Sequence, residues 1–169
     1  LTKHTNAKGN VTQYSYDTMN RLISVIDSAS GITSYQYDAV GNLTEIVDTG
    51  SKIIARKYYN QINQLIRKED GNGNTLEYSY DGAGNLISLM YPDNRTKTLL
   101  YDNENRLAEV YYPDSSQVIY SYDDNGNLIS MADSTGTTSY TYDELDRLIS
   151  SNDSFAKTVE YEYDLVGNR

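Results

Sequence analysis

An all-β chain of tandem hairpins is the fold class this sequence predicts, and three observations carry it. A Tyr-Asp pair returns about every 21 residues, short segments alternate polar and apolar side chains, and Gly, Asn, Asp, Pro and Ser cluster between them. The pairs are Tyr16-Asp17, Tyr37-Asp38, Tyr80-Asp81, Tyr101-Asp102, Tyr122-Asp123, Tyr142-Asp143 and Tyr163-Asp164, with Tyr59-Asn60 filling the one gap. Successive Tyr residues stand 21, 22, 21, 21, 21, 20 and 21 apart, so residues 1–169 read as a single array of about eight repeats.

Each repeat opens on a strand. A second Tyr precedes the paired one by two positions at Tyr14, Tyr35, Tyr78, Tyr120, Tyr140 and Tyr161, and Lys57 and Leu99 break that column. A spacing of two puts both rings on one face of a strand and turns the intervening Ser, Gln, Thr or Glu to the other. A turn follows. The Asp carboxylate can accept a backbone N–H further on, and three residues later stand Asn20, Gly41, Asn63, Gly84, Asn105, Gly126, Asp146 and Gly167. Gly, Asn and Asp tolerate a left-handed backbone best.

The second strand begins five residues after the Asp, at Leu22, Leu43, Leu65, Leu86, Leu107, Leu128 and Leu148; the last repeat has Arg169 there. Polar and apolar residues then alternate, with Val25, Ile46, Leu89, Val110 and Met131 on the apolar side. A more variable turn closes the repeat, as at Asp27 to Gly31, Asp70 to Gly73 and Asp133 to Gly136. Pro92 and Pro113 fall in such turns, where a missing N–H costs nothing, and the one-residue changes of interval are expected there too. Strands of roughly 7–8 residues, two per repeat, predict about 16 strands with a contour of ~77 Å. A sheet that wide twists and curls, so the expected architecture is one curved antiparallel sheet.

Composition narrows the function. Lys and Arg number 14 against 24 Asp and Glu, a net charge of −10 with pI near 4.4, which argues against nucleic acid and anionic membrane as partners. The absence of Cys removes disulfides, thiolate zinc sites, iron–sulfur clusters and a Cys nucleophile. No apolar run approaches the ~18 residues of a membrane helix. The chain opens on Leu1 rather than Met and its last repeat stops early, which reads as an excised fragment.

The unit Tyr-x-Tyr-Asp-x-x-Gly-Asn/Arg-Leu-Ile-Ser resembles the YD repeat of the rearrangement-hotspot (Rhs) family. Tyr122 to Ser130 and Tyr142 to Ser150 are close examples, and Tyr58-Tyr59-Asn60 is the weakest. The family includes bacterial wall-associated proteins, the C component of insecticidal toxin complexes and animal teneurins. The resemblance implies a segment of a spiral β-shell that encloses and delivers a polypeptide, often a toxin, and a secreted or cell-surface location, bacterial by preference. It also implies an alternative, a carbohydrate-binding module that uses exposed Tyr. The Asp-Pro motifs of the self-cleaving core are missing, since Tyr precedes both Pro92 and Pro113. The array therefore carries neither a protease nor a toxin domain. Its ending, Gly167-Asn168-Arg169, is similar to a late repeat just before such a core.

No catalytic residue, metal ligand or cofactor is expected. His4 is the sole His and sits in the first, fraying repeat, which leaves no internal base for a triad. Asp70-Gly71-Asn72-Gly73-Asn74 superficially matches a calcium loop, yet Thr75 and Asp81 stand where that loop needs Gly and a bidentate Glu. The Tyr, Asp, Gly and Leu columns recur at one phase of every repeat, as a structural rule requires. Basic residues concentrate from Arg56 to Lys68, where a solvated face is weighed against a local docking surface. Uncapped strand edges at both ends predict pairing with neighbouring repeats, with other copies of the chain, or in a closed ring.

Overall fold

The computed structural model describes residues 2–155, 157–164 and 166–169. They form two compact bodies, one running to Tyr78 and including Met90–Asn94, the other made of Ser79–Leu89 and the chain from Arg95 onward. The first body holds β1 (Thr2–Thr5), β2 (Val11–Tyr16), β3 (Leu22–Ile26), β4 (Ile32–Tyr37), β5 (Leu43–Val47), β6 (Ile53–Tyr59), β7 (Leu65–Asp70) and the start of β8 (Thr75–Tyr80). The second holds most of β9 (Leu86–Met90), then β10 (Thr96–Tyr101), β11 (Leu107–Tyr111), β12 (Gln117–Tyr122), β13 (Leu128–Asp133), β14 (Gly136–Tyr142), β15 (Leu148–Asn152) and β16 (Thr158–Glu160). Strand order in the sheet follows chain order from β1 to β16, and every described element is a strand. The predicted all-β, hairpin-repeat class is the class observed.

The strands are shorter than the 7–8 residues expected, running from three to seven. The cause lies in the turns. In the first, the Asp17 N–H donates to the Arg21 carbonyl at 3.0 Å and the Asn20 N–H to the Asp17 carbonyl at 3.1 Å, closing a five-residue loop. The same closure recurs at Asp38, Asn60, Asp81, Asp102, Asp123, Asp143 and Asp164. It also forms most of the opposite turns, at Asn6, Asp27, Asp48, Asp70 and Tyr112. Two such loops take nearly half of a 21-residue repeat.

The fourth residue of the Tyr-Asp loop has positive φ throughout, from 57° to 63° at Asn20, Asn63, Asn105 and Asp146 and from 86° to 101° at Gly41, Gly84, Gly126 and Gly167. Asn20→Ala and Gly126→Ala are each expected to lose about 1 kcal/mol in urea unfolding, because a Cβ in the left-handed region is strained. Asn20→Gly, which keeps that conformation open, is expected to lie within a few tenths of a kcal/mol of the parent.

The two irregular intervals have different origins. The interval of 20 comes from a tight hairpin in which Asp133 pairs with Gly136, so that turn is shortened as expected. The interval of 22 does not arise in a turn. The loop from Asp48 to Lys52 keeps its five-residue closure, and the extra residue moves into β6. There Ile46 pairs with Ala55 and Val47 with Ile53, leaving Ile54 as a β-bulge.

Burial is shallow, and only Ala55 and Val110 among the described residues are buried. On one face, cross-strand pairs such as Tyr14–Val25, Tyr35–Ile46 and Tyr120–Met131 give half-buried ladders. On the other, Ser15, Ser24 and Ser34 line up across β2 to β4, and Ser121, Ser130 and Ser139 across β12 to β14.

Candidate functional site

The repeated chemistry of the chain lies along the edge formed by the Tyr-Asp turns. Asp81 is typical: its Oδ1 accepts the N–H groups of Ala83 at 2.9 Å and Asn85 at 2.8 Å, and its Oδ2 accepts the Asn85 amide at 3.0 Å. The Asn85 amide and backbone therefore hold the Asp81 carboxyl below the usual carboxylate range. Asp38, Asp143 and Asp164 are lowered in the same way, chiefly by the side chains of Asn42, Arg147 and Asn168. At Asp17 the leading cause is the backbone N–H of Arg21.

The paired Tyr residues act between repeats. The hydroxyl of Tyr37 donates to the Leu22 carbonyl at 2.8 Å, Tyr59 to Leu43 at 3.1 Å, Tyr101 to Leu86 at 3.1 Å and Tyr122 to Leu107 at 2.9 Å. Tyr142 and Tyr163 reach Leu128 and Leu148 at 2.9 and 3.0 Å. Each Tyr thus ties its repeat to the one before. Burial pushes the hydroxyls of Tyr59, Tyr122 and Tyr142 above the usual tyrosine range. Tyr16 is 41% exposed at the start of the array.

A second link joins consecutive turns, and it comes in two alternating forms. Arg21 donates from Nε to Asp17 at 2.7 Å and from Nη1 to the Asp38 carbonyl of the next turn at 3.3 Å, with its guanidinium 4.7 Å above the Tyr37 ring. Arg106 repeats this toward Asp123 and Tyr122, and Arg147 stacks on Tyr163 at the same 4.7 Å. In the turns between, Asn42 donates its amide to Asn63 at 3.0 Å, Asn85 to Asn105 at 3.0 Å and Asn127 to Asp146 at 2.7 Å.

The residue types follow from this exchange. Asn-Arg or Asp-Arg occupies the fourth and fifth turn positions in repeats 1, 5 and 7, with Asn63-Gln64 in repeat 3, whereas Gly-Asn occupies them in repeats 2, 4, 6 and 8. The Gly, Asn and Asp column hides this alternation when read alone. Reading it together with the following residue exposes a period of two repeats. A double-mutant cycle on Asn127→Ala and Asp146→Ala is expected to give a coupling of about 0.5–1 kcal/mol, as a charge-assisted but solvent-accessible bond should. A value near zero would leave the alternation without an energetic role.

Repeat 3 carries the basic concentration seen in the sequence. On the Ser-bearing face, Arg56 Nε donates to Glu45 at 2.8 Å, and Glu69 accepts from Arg67 and the Tyr58 hydroxyl at 3.3 Å each. The Arg67 guanidinium lies 4.0 Å above the Tyr58 ring. These two arginines are matched internally. The calcium-like segment is likewise occupied by its own turn, since Asp70 accepts from Asn72 and twice from Asn74. Among the described residues no three His, Cys, Asp or Glu converge on a possible metal position, and no helix is long and apolar enough to cross a membrane. His4 lies exposed on β1 opposite Thr12.

A family model described as RHS Repeat matches residues 80–117, 101–138 and 122–158, and one described as Teneurin YD-shell matches residues 2–96, more than half of the chain. The chain belongs to the YD-repeat (Rhs) family. No curated protein matches its sequence significantly. This YD-repeat array is similar to part of the crystal structure of TcdB2-TccC3-Cdc42, with a TM-score of 0.76 and 20% identity over 92% of the array. It is also similar to part of the Tc holotoxin pore of Photorhabdus luminescens, with a TM-score of 0.71 and 21% identity over 89% of the array. The array spans only 10% and 9% of those two chains. At such identity the likeness is one of fold.

Proposed function

We propose that this chain is a non-catalytic stretch of the wall of a larger YD-repeat shell that encloses a polypeptide. The observation that carries the reading is how the repeats are joined. Besides the backbone ladder, most repeats direct a Tyr hydroxyl and a turn side chain at a neighbour, as in a continuous barrier. The likeness to parts of Tc toxin structures supports it. The wall makes and breaks no bond; it contains. A secreted or cell-surface location follows from the same reading, and residues 1–169 act within it as one array whose Tyr, Asp, Gly and Leu columns are building positions.

β1 and β16 stand at the two ends of the strand order and present open backbone edges. Light scattering at two protein concentrations, with a glycan-array screen of the same sample, tests the proposal. Concentration-dependent end-to-end assembly with a blank array is expected. A stable monomer that binds a defined glycan would overturn it in favour of a surface binding module.

A further inference from the structure

Two columns of the repeat fail at one and the same place. Where other repeats set Tyr14 against Val25, Tyr35 against Ile46 or Tyr120 against Met131, repeat 3 sets Lys57 directly against Lys68. Like charges facing each other across a strand pair are destabilising, and here they displace an aromatic–aliphatic contact that would stabilise. Lys57 is half-buried and Lys68 exposed.

Among the described residues neither lysine forms an ion pair. The nearby glutamates, Glu45 and Glu69, sit on the opposite face and are engaged by Arg56 and Arg67. Asp38 shares a hollow with Lys57 and Asp70 one with Lys68, and both are committed to their own turns: Asp38 accepts from Val40 and Asn42, and Asp70 from Asn72 and Asn74. Each lysine also borders a hollow. Lys68 borders one of about 350 Å³ with Asp70, Asn74, Leu76, Tyr91 and Pro92, and Lys57 stands at the rim of another, of about 450 Å³, whose other lining includes Glu45 and Arg56 of the opposite face.

We infer that Lys57 and Lys68 form an anchor for a side-chain carboxylate of an acidic polypeptide segment lying on the Tyr-bearing face. Opposed side chains start about 4.5–5.5 Å apart at Cβ, so one carboxylate can accept from both ammonium groups. The apolar walls at Leu76, Tyr91 and Pro92 suit the residues beside it. A chain of net charge −10 repels an extended polyanion, which favours one carboxylate in an otherwise apolar segment over a phosphate backbone. The inference deepens the wall reading, because it names a contact between wall and enclosed polypeptide, although the binding itself needs no closed shell.

The test uses the full chain and two blocked pentapeptides, Leu-Glu-Leu-Glu-Leu and its Gln counterpart, followed by NMR. Shifts confined to Lys57, Lys68, Leu76 and their neighbours are expected with the Glu peptide only, and Lys57→Gln or Lys68→Gln is expected to weaken binding about tenfold. The double change Lys57→Tyr with Lys68→Val restores both columns; it is expected to abolish binding while raising the thermal midpoint by about 2–4 °C. Equal binding of the two peptides, shifts elsewhere, or undiminished binding by the double variant would overturn the anchor. Tighter binding of tripolyphosphate at the same lysines would overturn the choice of polypeptide. The double variant leaves both strand edges intact, so loss of the anchor with normal assembly, or the reverse, separates this inference from the wall reading.

Discussion

A chain carrying Phe in place of Tyr37, Tyr59, Tyr101, Tyr122, Tyr142 and Tyr163 is expected to melt about 10–30 °C below the parent. Each substitution removes only a hydroxyl, but each hydroxyl is the donor to a Leu carbonyl of the preceding repeat. At about 0.5–1.5 kcal/mol per bond, six losses amount to roughly 3–9 kcal/mol. Domains of this size are typically stable by only about 5–15 kcal/mol. The other Tyr column supplies the control. Tyr14, Tyr35 and Tyr140 make no side-chain hydrogen bond among the described residues, so Phe at those positions removes no such contact. Circular dichroism melts of both multiple variants decide the matter. Equal destabilisation by the two sets would mean that ring packing, and not the hydroxyl, joins the repeats.

Acidification is expected to produce the second large effect, a steep loss of thermal stability as pH falls below about 4. The sign follows from the turns. Asp38, Asp81, Asp143 and Asp164 are held below the ordinary value of 3.8 in the folded chain, first by the side chains of Asn42, Asn85, Arg147 and Asn168 and then by backbone N–H groups. A group depressed on folding contributes its stabilisation fully above its unfolded value, and the contribution disappears as pH falls through the folded one. Asp17, Asp70, Asp102, Asp114, Asp123 and Asp133 are shifted downward as well. Bulk charge makes the opposite forecast. A chain of net charge −10 sheds self-repulsion as it approaches its pI near 4.4, which alone would raise stability. Melting curves from pH 7 to pH 2 read the sum, since bulk charge raises the midpoint only down to the pI, and a midpoint that does not fall between pH 4 and pH 2 would rule out the turn carboxylates as the dominant influence.

Much of this architecture was legible because a repeat amplifies weak signals. One Tyr-Asp pair says little, but seven, with Tyr59-Asn60 in the gap, at nearly constant spacing locate the loops, and the Gly, Asn or Asp three residues on marks the left-handed position that each loop requires. Other features had no side-chain signature. The partner of each paired Tyr hydroxyl is a backbone carbonyl about 15 residues earlier, and backbone acceptors look alike in any sequence. The extra residue at Ile54 was assigned to a turn because turns usually absorb insertions. Here the five-residue closure at Asp48 is the stiffer element, and the strand yields instead. Strand length falls short of the 7–8 residues expected because nearly every turn is a five-residue loop closed by its own hydrogen bonds. The alternation of Arg and Asn was present in the letters, but its meaning depends on reach. An arginine spans to the next carbonyl and ring, whereas an asparagine meets another short side chain.

That alternation constrains how such a gene can lengthen or shorten. Loss of one 21-residue segment would place two Gly-Asn turns side by side, where the Asn amide meets no Asn or Asp oxygen, or two Arg-bearing turns, where the Asn or Asp oxygen of the second meets no Asn amide. Loss or duplication of two adjacent segments restores the original succession at the junction. Recombination that preserves the protein should therefore proceed in steps of about 42 residues, and two letters in each turn record the parity of the count.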